Sequence, residues 1–222
     1  IVLGSILSLL AIASLIGFIL QQRATEPKAV ATVENLNARI RSWWVMVVIF
    51  GGAILIGRTE TTVLFGILSF MALREFWTLT PSKRGDHLAL FLSFFVVLPL
   101  QYVLVGMRLI NAFTVFIPVY VFFAIPVISA LANDPFRFLE RTAKIQWGVT
   151  VTVYGLSHAP ALLLLDLPRY HERGAFLVLF LVLVVVAAQV GEEIASRRLR
   201  RRPVARAISR SFSWRGWLAG AL

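Results

Sequence analysis

LALFLSFFVVLPLQYVLVGM (residues 88–107) and LINAFTVFIPVYVFFAIPVISALAN (residues 109–133) contain no charged side chain, and only Arg108 stands between them. A membrane-spanning helix needs about 20 predominantly apolar residues. A charge at mid-bilayer costs at least about 2.5–3.5 kcal/mol on insertion scales. The two stretches therefore predict two spanning helices joined by a turn at Arg108.

The same criterion, applied outward, marks residues 1–22, 42–57, 61–73, 145–165 and 174–191. The stretch 61–73 is too short to span alone. Its helix is expected to run on through Arg74 and Glu75 to about Leu79, before the Thr80-Pro81-Ser82 break. The expected fold is all-α: a polytopic membrane protein of seven transmembrane helices plus the start of an eighth, in one membrane-embedded domain over 1–222. Within it, 1–22 is the first helix, 23–41 a cytoplasmic connection and 42–195 helices 2 to 7. Residues 196–213 form a cytoplasmic polybasic segment and 214–222 begin a further helix. Ile1 to Leu20 has neither a basic flank before it nor a small-residue cleavage site after it, so it reads as a spanning helix and not a removable signal.

Composition agrees. The 222 residues are 59% hydrophobic and 15% charged, against roughly 45–50% and about 25% in soluble domains. A soluble globular protein is excluded. Zero cysteines exclude disulfide frameworks, thiolate nucleophiles and Cys-ligated zinc or iron–sulfur sites. GxxxxGK[ST], HExxH and GxSxG are absent.

Twenty-two Lys and Arg face eleven Asp and Glu, for a net charge of +11. Eighteen of the cations fall in the connections after helices 1, 3 and 5 and in the segment after helix 7. Four, Arg58, Arg108, Arg169 and Arg173, fall in the alternate connections. The positive-inside rule then puts the first residue outside and the basic tail in the cytoplasm. Such a tail expects anionic membrane lipids, and not nucleic acid, as partners. Pro118 and Pro126 in helix 5 each remove a backbone donor, and neighbouring helices are expected to satisfy the freed carbonyls. Small residues at 4–17 and 51–57 allow close helix packing, within the chain or in a homodimer.

Few residues offer chemistry. His87, His158 and His171 fall in different connections or depths and do not converge. Glu75, at a helix end, either lines a cytoplasm-facing polar site or is capped by a loop donor. Gln189 and Glu192 share a helix face at spacing i, i+3, and Arg197, Arg198, Arg200, Arg201, Arg202, Arg206, Arg210 and Arg215 follow with Ser209, Ser211 and Ser213 among them. This run is either a lipid-gripping juxtamembrane stretch or a phosphate-binding site.

Asn37-Ala38-Arg39-Ile40, Ala72-Leu73-Arg74-Glu75-Phe76 and Arg141-Thr142-Ala143-Lys144-Ile145-Gln146-Trp147-Gly148, in that order, resemble the phosphatidate cytidylyltransferase (CDP-diacylglycerol synthase) family, with likeness over most of 35–222. Ser209 to Gly216 lies over that family's Ser-Pro-x-Lys-Thr-x-x-Gly-type segment. Ser209, Ser213 and Gly216 fit. Arg210 stands where the family has Pro, Phe212 where it has Lys, and Gln189 where it has a metal-binding Asp. The family's C-terminal signature has no counterpart in these residues.

The resemblance implies transfer of CMP from CTP to phosphatidate at the cytoplasmic face of a bacterial inner membrane, with Mg²⁺ as cofactor. It implies catalytic roles for Ser209, Ser213 and Arg215, and substrate contacts from Arg202, Arg206, Arg141, Lys144 and Glu75. The metal site would include Gln189, at the family Asp position; spacing alone, one turn along the same face, offers Glu192 in place of the missing carboxylate. The departures leave open a degenerate, non-catalytic member that binds anionic lipid as a partner or scaffold. A transporter is the third reading, disfavoured by the absence of internal repeats.

Overall fold

The computed structural model describes residues 2–23, 27–165, 174–198, 214 and 217–218, and every regular element among them is helical. Seven helices succeed one another: α1 (Val2–Arg23), α2 (Pro27–Ile56), α3 (Arg58–Thr78), α4 (Arg84–Gly106), α5 (Ile110–Ala130), α6 (138–164) and α7 (Gly174–Arg198). Most of the expected eighth helix lies outside the described residues.

Side-chain pairings fix an up-and-down order. Phe50 meets Phe65 across α2 and α3 at 5.7 Å between ring centroids, and Phe70 meets Phe94 across α3 and α4 at 5.3 Å. Asp86 pairs with Arg141 and Gln101 with Ser157, so α4 and α6 run parallel at a nearly constant offset. Consecutive helices are therefore antiparallel, and the connections alternate between two ends. Among the described residues, Arg74, Lys83, Arg84, Arg137, Arg141 and Lys144 lie toward one end, and Arg58 and Arg108 at the other.

The expected connection 23–41 is mostly helix. Only 24–26 intervene before α2, whose first turns pack on α1: Asn37 Nδ2 donates to Gln21 Oε1 at 2.9 Å, Trp44 Nε1 to Ser14 Oγ at 2.9 Å, and Ile40 is buried. Arg39 and Arg41 are charged, but a charged residue does not prevent a helix, and both lie within α2. Gly17 admits Asn37 and Ile40 so closely that a Cβ there would clash, so one small-residue position serves packing within the chain.

Four helices are long and apolar enough to cross a membrane by themselves, at Val30–Ile56, Arg84–Gly106, Ile110–Ala130 and Gly174–Glu192, and α1 adds a shorter apolar run, Leu10–Arg23. The seven crossings expected from charge-free stretches thus rest on composition for four. α3 and α6 fall outside that group because they pack inside the bundle and carry its polar interior. Thr61, Phe65, Ser69 and Leu73, one face of α3 at every fourth residue, are buried. Ser69 Oγ donates to the Thr152 carbonyl of α6 at 2.5 Å, and Gln101 Nε2 of α4 donates to Ser157 Oγ at 3.1 Å. A helix shielded from lipid by its neighbours needs no continuous apolar surface.

Both prolines of α5 are compensated by α6. Pro118 has no N–H for the Thr114 carbonyl, and Tyr154 Oη donates to it at 3.2 Å. Pro126 leaves the Phe122 carbonyl free, and Gln146 Nε2 donates to it at 2.8 Å. Interhelical hydrogen bonds in membrane proteins average about 0.6 kcal/mol, with a maximum near 1.7 kcal/mol. Gln146→Leu should therefore lower stability by about 1 kcal/mol in thermal unfolding in detergent. Pro126→Ala, which restores an N–H for Phe122, should abolish that cost. An undiminished cost in the Pro126→Ala background would show that the Gln146 amide acts elsewhere.

Candidate functional site

The charged residues gather at the end that holds the α3–α4 and α5–α6 connections. The α5–α6 connection turns through Asn133 and Arg137, both in the left-handed region at φ 51° and φ 50°. It presents Asp134 back toward α6. Asp134 Oδ1 accepts the Phe136 N–H at 3.1 Å, which stabilises the turn. In the α3–α4 connection, the Lys83 N–H donates to Asp86 Oδ2 at 2.9 Å and orients that carboxylate.

Arg141, in the first turns of α6, joins the two. Its Nε donates to Asp86 Oδ1 at 2.7 Å, and its Nη1 donates to Asp134 Oδ2 at 2.7 Å and to the Phe136 carbonyl at 3.1 Å. The Arg141 and Asp86 side chains are 8% and 4% exposed, so the pair is desolvated, whereas Asp134 at 34% keeps part of its hydration. The Asp86 carboxylate holds the guanidinium pKa above its already high value, reinforced by Asp134 against burial. A planar guanidinium can serve two carboxylates and a carbonyl at once, which an ammonium on a flexible stem cannot do with the same geometry. Gly85 lies against Arg141 so closely that a Cβ would meet Nη2 at 2.6 Å.

This arrangement changes the expected role of Arg141. A guanidinium committed to two protein carboxylates is a tie between connections, not a free ligand for a lipid phosphate. Asp86 and Asp134, which make it so, are residues that sequence reasoning passed over. The signal available was that they are acids within otherwise basic connections.

Lys144 lies one turn further along α6, with Nζ 2.6 Å from Glu140 Oε1, and Arg137 pairs with the same carboxylate. The hydrogen bond from Lys144 is the main cause that draws the Glu140 pKa below its ordinary value, with Arg137 adding to it. Lys144 is 37% exposed and thus reachable by a ligand. Lys83 Nζ sits 3.9 Å above the Phe136 ring. Arg74 and Glu75 are exposed at the end of α3. Near this rim the Trp77 Nε1 and Thr142 Oγ1 atoms are buried without a hydrogen-bond partner among the described residues.

α7 docks elsewhere. Gly174 packs onto the backbone of Leu162 and Leu163, and Val178 is fully buried. Gln189 is exposed and Glu192 half-buried toward the other end of α7. Among the described residues, no group of three His, Asp or Glu side chains is close enough to hold a metal ion. Mg²⁺ prefers carboxylate oxygens and substrate phosphates; of the expected pair, Glu192 offers a carboxylate and Gln189 a neutral amide oxygen. Ser209, Ser213, Arg215, Arg202 and Arg206 lie outside the described residues.

The description "Cytidylyltransferase family" matches residues 37–222, a span that begins inside α2 and includes the Arg141 tie, the end of α7 and the polybasic run. An uncharacterized protein of Escherichia coli (strain K12), YnbB, is 35% identical over 178 residues, which are 80% of this chain. The chain covers 56% of that relative's length. No solved structure matches. The chain belongs to the cytidylyltransferase family, that of the phosphatidate cytidylyltransferases.

Proposed function

We propose that this protein transfers CMP from CTP to phosphatidate, giving CDP-diacylglycerol and pyrophosphate, at the cytoplasmic face of a bacterial inner membrane. The observation that carries the reading is the family match over 37–222, which takes in both the charged rim and the polybasic run. The bias of eighteen of the twenty-two cations, along the sequence, to the connections after helices 1, 3 and 5 and the segment after helix 7 supports that orientation, because CTP is cytoplasmic.

In the reaction a phosphate oxygen of phosphatidate attacks the α-phosphorus of CTP. The new P–O bond forms as the bond to the β-phosphate oxygen breaks, and pyrophosphate leaves. Two polyanions must approach, so donors have to offset charge building on the phosphoryl oxygens. Arg202, Arg206 and Arg215 supply guanidinium forks for the phosphates, and Ser209 and Ser213 supply hydroxyl donors. Lys144 exchanges Glu140 for the lipid phosphate, and Glu75 borders the same rim. Arg141 holds the rim in shape.

A second reading has its own support. The exposed Gln189, with no carboxylate cluster around it among the described residues, favours a non-catalytic member that binds anionic lipid. Full-length protein in vesicles, supplied with CTP, Mg²⁺ and phosphatidate, distinguishes the two. Formation of CDP-diacylglycerol that stops when Mg²⁺ is chelated is expected. Turnover only after Gln189→Asp together with Phe212→Lys would establish the non-catalytic reading for the natural sequence.

A further inference from the structure

At the end of the bundle opposite the charged rim, α4 and α5 diverge around a groove of about 440 Å³ walled by Leu100 and Leu104 on one side and Ala112, Val115 and Phe116 on the other. Asn111 and Tyr120 supply its polar edges. The volume lies within the roughly 300–1,000 Å³ typical of small-molecule sites. On the α5 side it follows a π-helical turn, Phe116–Val121, interrupted by Pro118. Such π-turns occur frequently at functional sites. A smaller apolar cavity of about 200 Å³, which shares Leu104 and includes His158, adjoins it.

Above the groove, the turn between the helices is made by Arg108, exposed and in the left-handed region at φ 60°. That conformation is unfavourable for a residue with a Cβ, and such residues concentrate at binding sites. Arg108 is also the only charge between residues 88 and 133. Two apolar spans end here, so the turn sits at headgroup depth while the groove lies in hydrocarbon.

We propose that this groove is a binding site for one phospholipid of the leaflet at that end, with an acyl chain between α4 and α5 and the phosphate on Arg108. The charge is complementary to a lipid phosphate and the walls to a hydrocarbon chain. Asn111, which lines the groove three residues after Arg108, offers an amide to the lipid's ester oxygens. The site is separated from the charged rim by the length of α4, so it is a second lipid site and is independent of the reaction proposed above.

The test uses the full-length protein reconstituted in vesicles of phosphatidylcholine and phosphatidylglycerol, then extracted in mild detergent and analysed by native mass spectrometry. One phosphatidylglycerol retained per chain is expected. Ala112→Trp, which fills the groove, should abolish retention. Arg108→Gln should lower phosphatidylglycerol retention about fivefold, the effect of one cation at a lipid surface. Val151→Trp, on an exposed apolar position of α6 away from the groove, should leave it unchanged. Thermal unfolding of each variant establishes that it is folded. Equal retention in all folded variants, or equal loss in Ala112→Trp and Val151→Trp, would mean annular lipid only and would overturn the proposal.

Discussion

Replacing Arg141 by methionine should lower the unfolding free energy by about 3–5 kcal/mol, the usual cost of removing one partner from a buried ion pair. The loss concentrates at Asp86. Its carboxylate is 4% exposed, and without the guanidinium it keeps only the Lys83 N–H as a described partner. Asp134 retains contact with solvent and the Phe136 N–H, so Asp134→Asn should cost far less, about 1 kcal/mol. The sign of the double change is the sharper test. Asp86→Asn combined with Arg141→Met removes both charges, and replacing a buried pair whole is often nearly neutral. Most of the single-variant loss should therefore return. Arg141→Lys should rescue only in part, since one ammonium cannot hold both carboxylates and the Phe136 carbonyl in the same geometry. Denaturant unfolding in detergent of the parent, Asp86→Asn, Arg141→Met and the double variant closes the cycle. If Arg141→Met unfolded like the parent, the tie between the two connections would have no energetic weight.

The same residue shows where sequence reading stops. Arg141 opens a helix at the cation-rich end of a membrane protein, and from sequence alone that describes a phosphate ligand as well as a structural tie. The deciding fact is a carboxylate 55 positions earlier, brought alongside by the parallel packing of α4 on α6. By contrast, α4 and α5 were legible within a few residues, because the cost of inserting a charge is large and local: Arg84–Gly106 covers all but the last residue of the stretch 88–107, and Ile110–Ala130 lies within 109–133. That criterion does not bear on whether 27–41 is helical. It detects exclusion from hydrocarbon, whereas the start of α2 is helix that happens to be charged. The neighbours for the prolines of α5 were predictable in kind, but Tyr154 and Gln146 were not, since which face of α6 meets α5 is a tertiary fact. The family strings pointed to the right family, while the roles drawn from them for Ser209, Ser213 and the arginines lie on residues outside those described.

Gly174→Ala should destabilise the protein by about 1–3 kcal/mol, the range for overpacking a close contact, and by more than Gly148→Ala. Both glycines admit a neighbour too close for a Cβ, but the neighbours differ. At Gly148 the obstacle is the Phe76 ring, 2.7 and 2.8 Å from where the new carbon would stand. A side chain can change rotamer at modest cost, and Phe76→Leu should relieve Gly148→Ala. At Gly174 the obstacle is main chain, with Leu163 Cα at 2.7 Å, its carbonyl oxygen at 2.9 Å and the Leu162 carbonyl oxygen at 3.0 Å. No rotamer relieves that contact, so the start of α7 must move away from the end of α6 and expose Val178, which is fully buried. Alanine's higher helix propensity, about 1 kcal/mol over glycine in a helix interior, works in the opposite direction and counts for little at a first residue. Thermal unfolding in detergent should order the variants Gly174→Ala, then Gly148→Ala, then Gly148→Ala with Phe76→Leu, from least to most stable. The reverse order for the two single variants would mean that α7 is not seated on the backbone of α6.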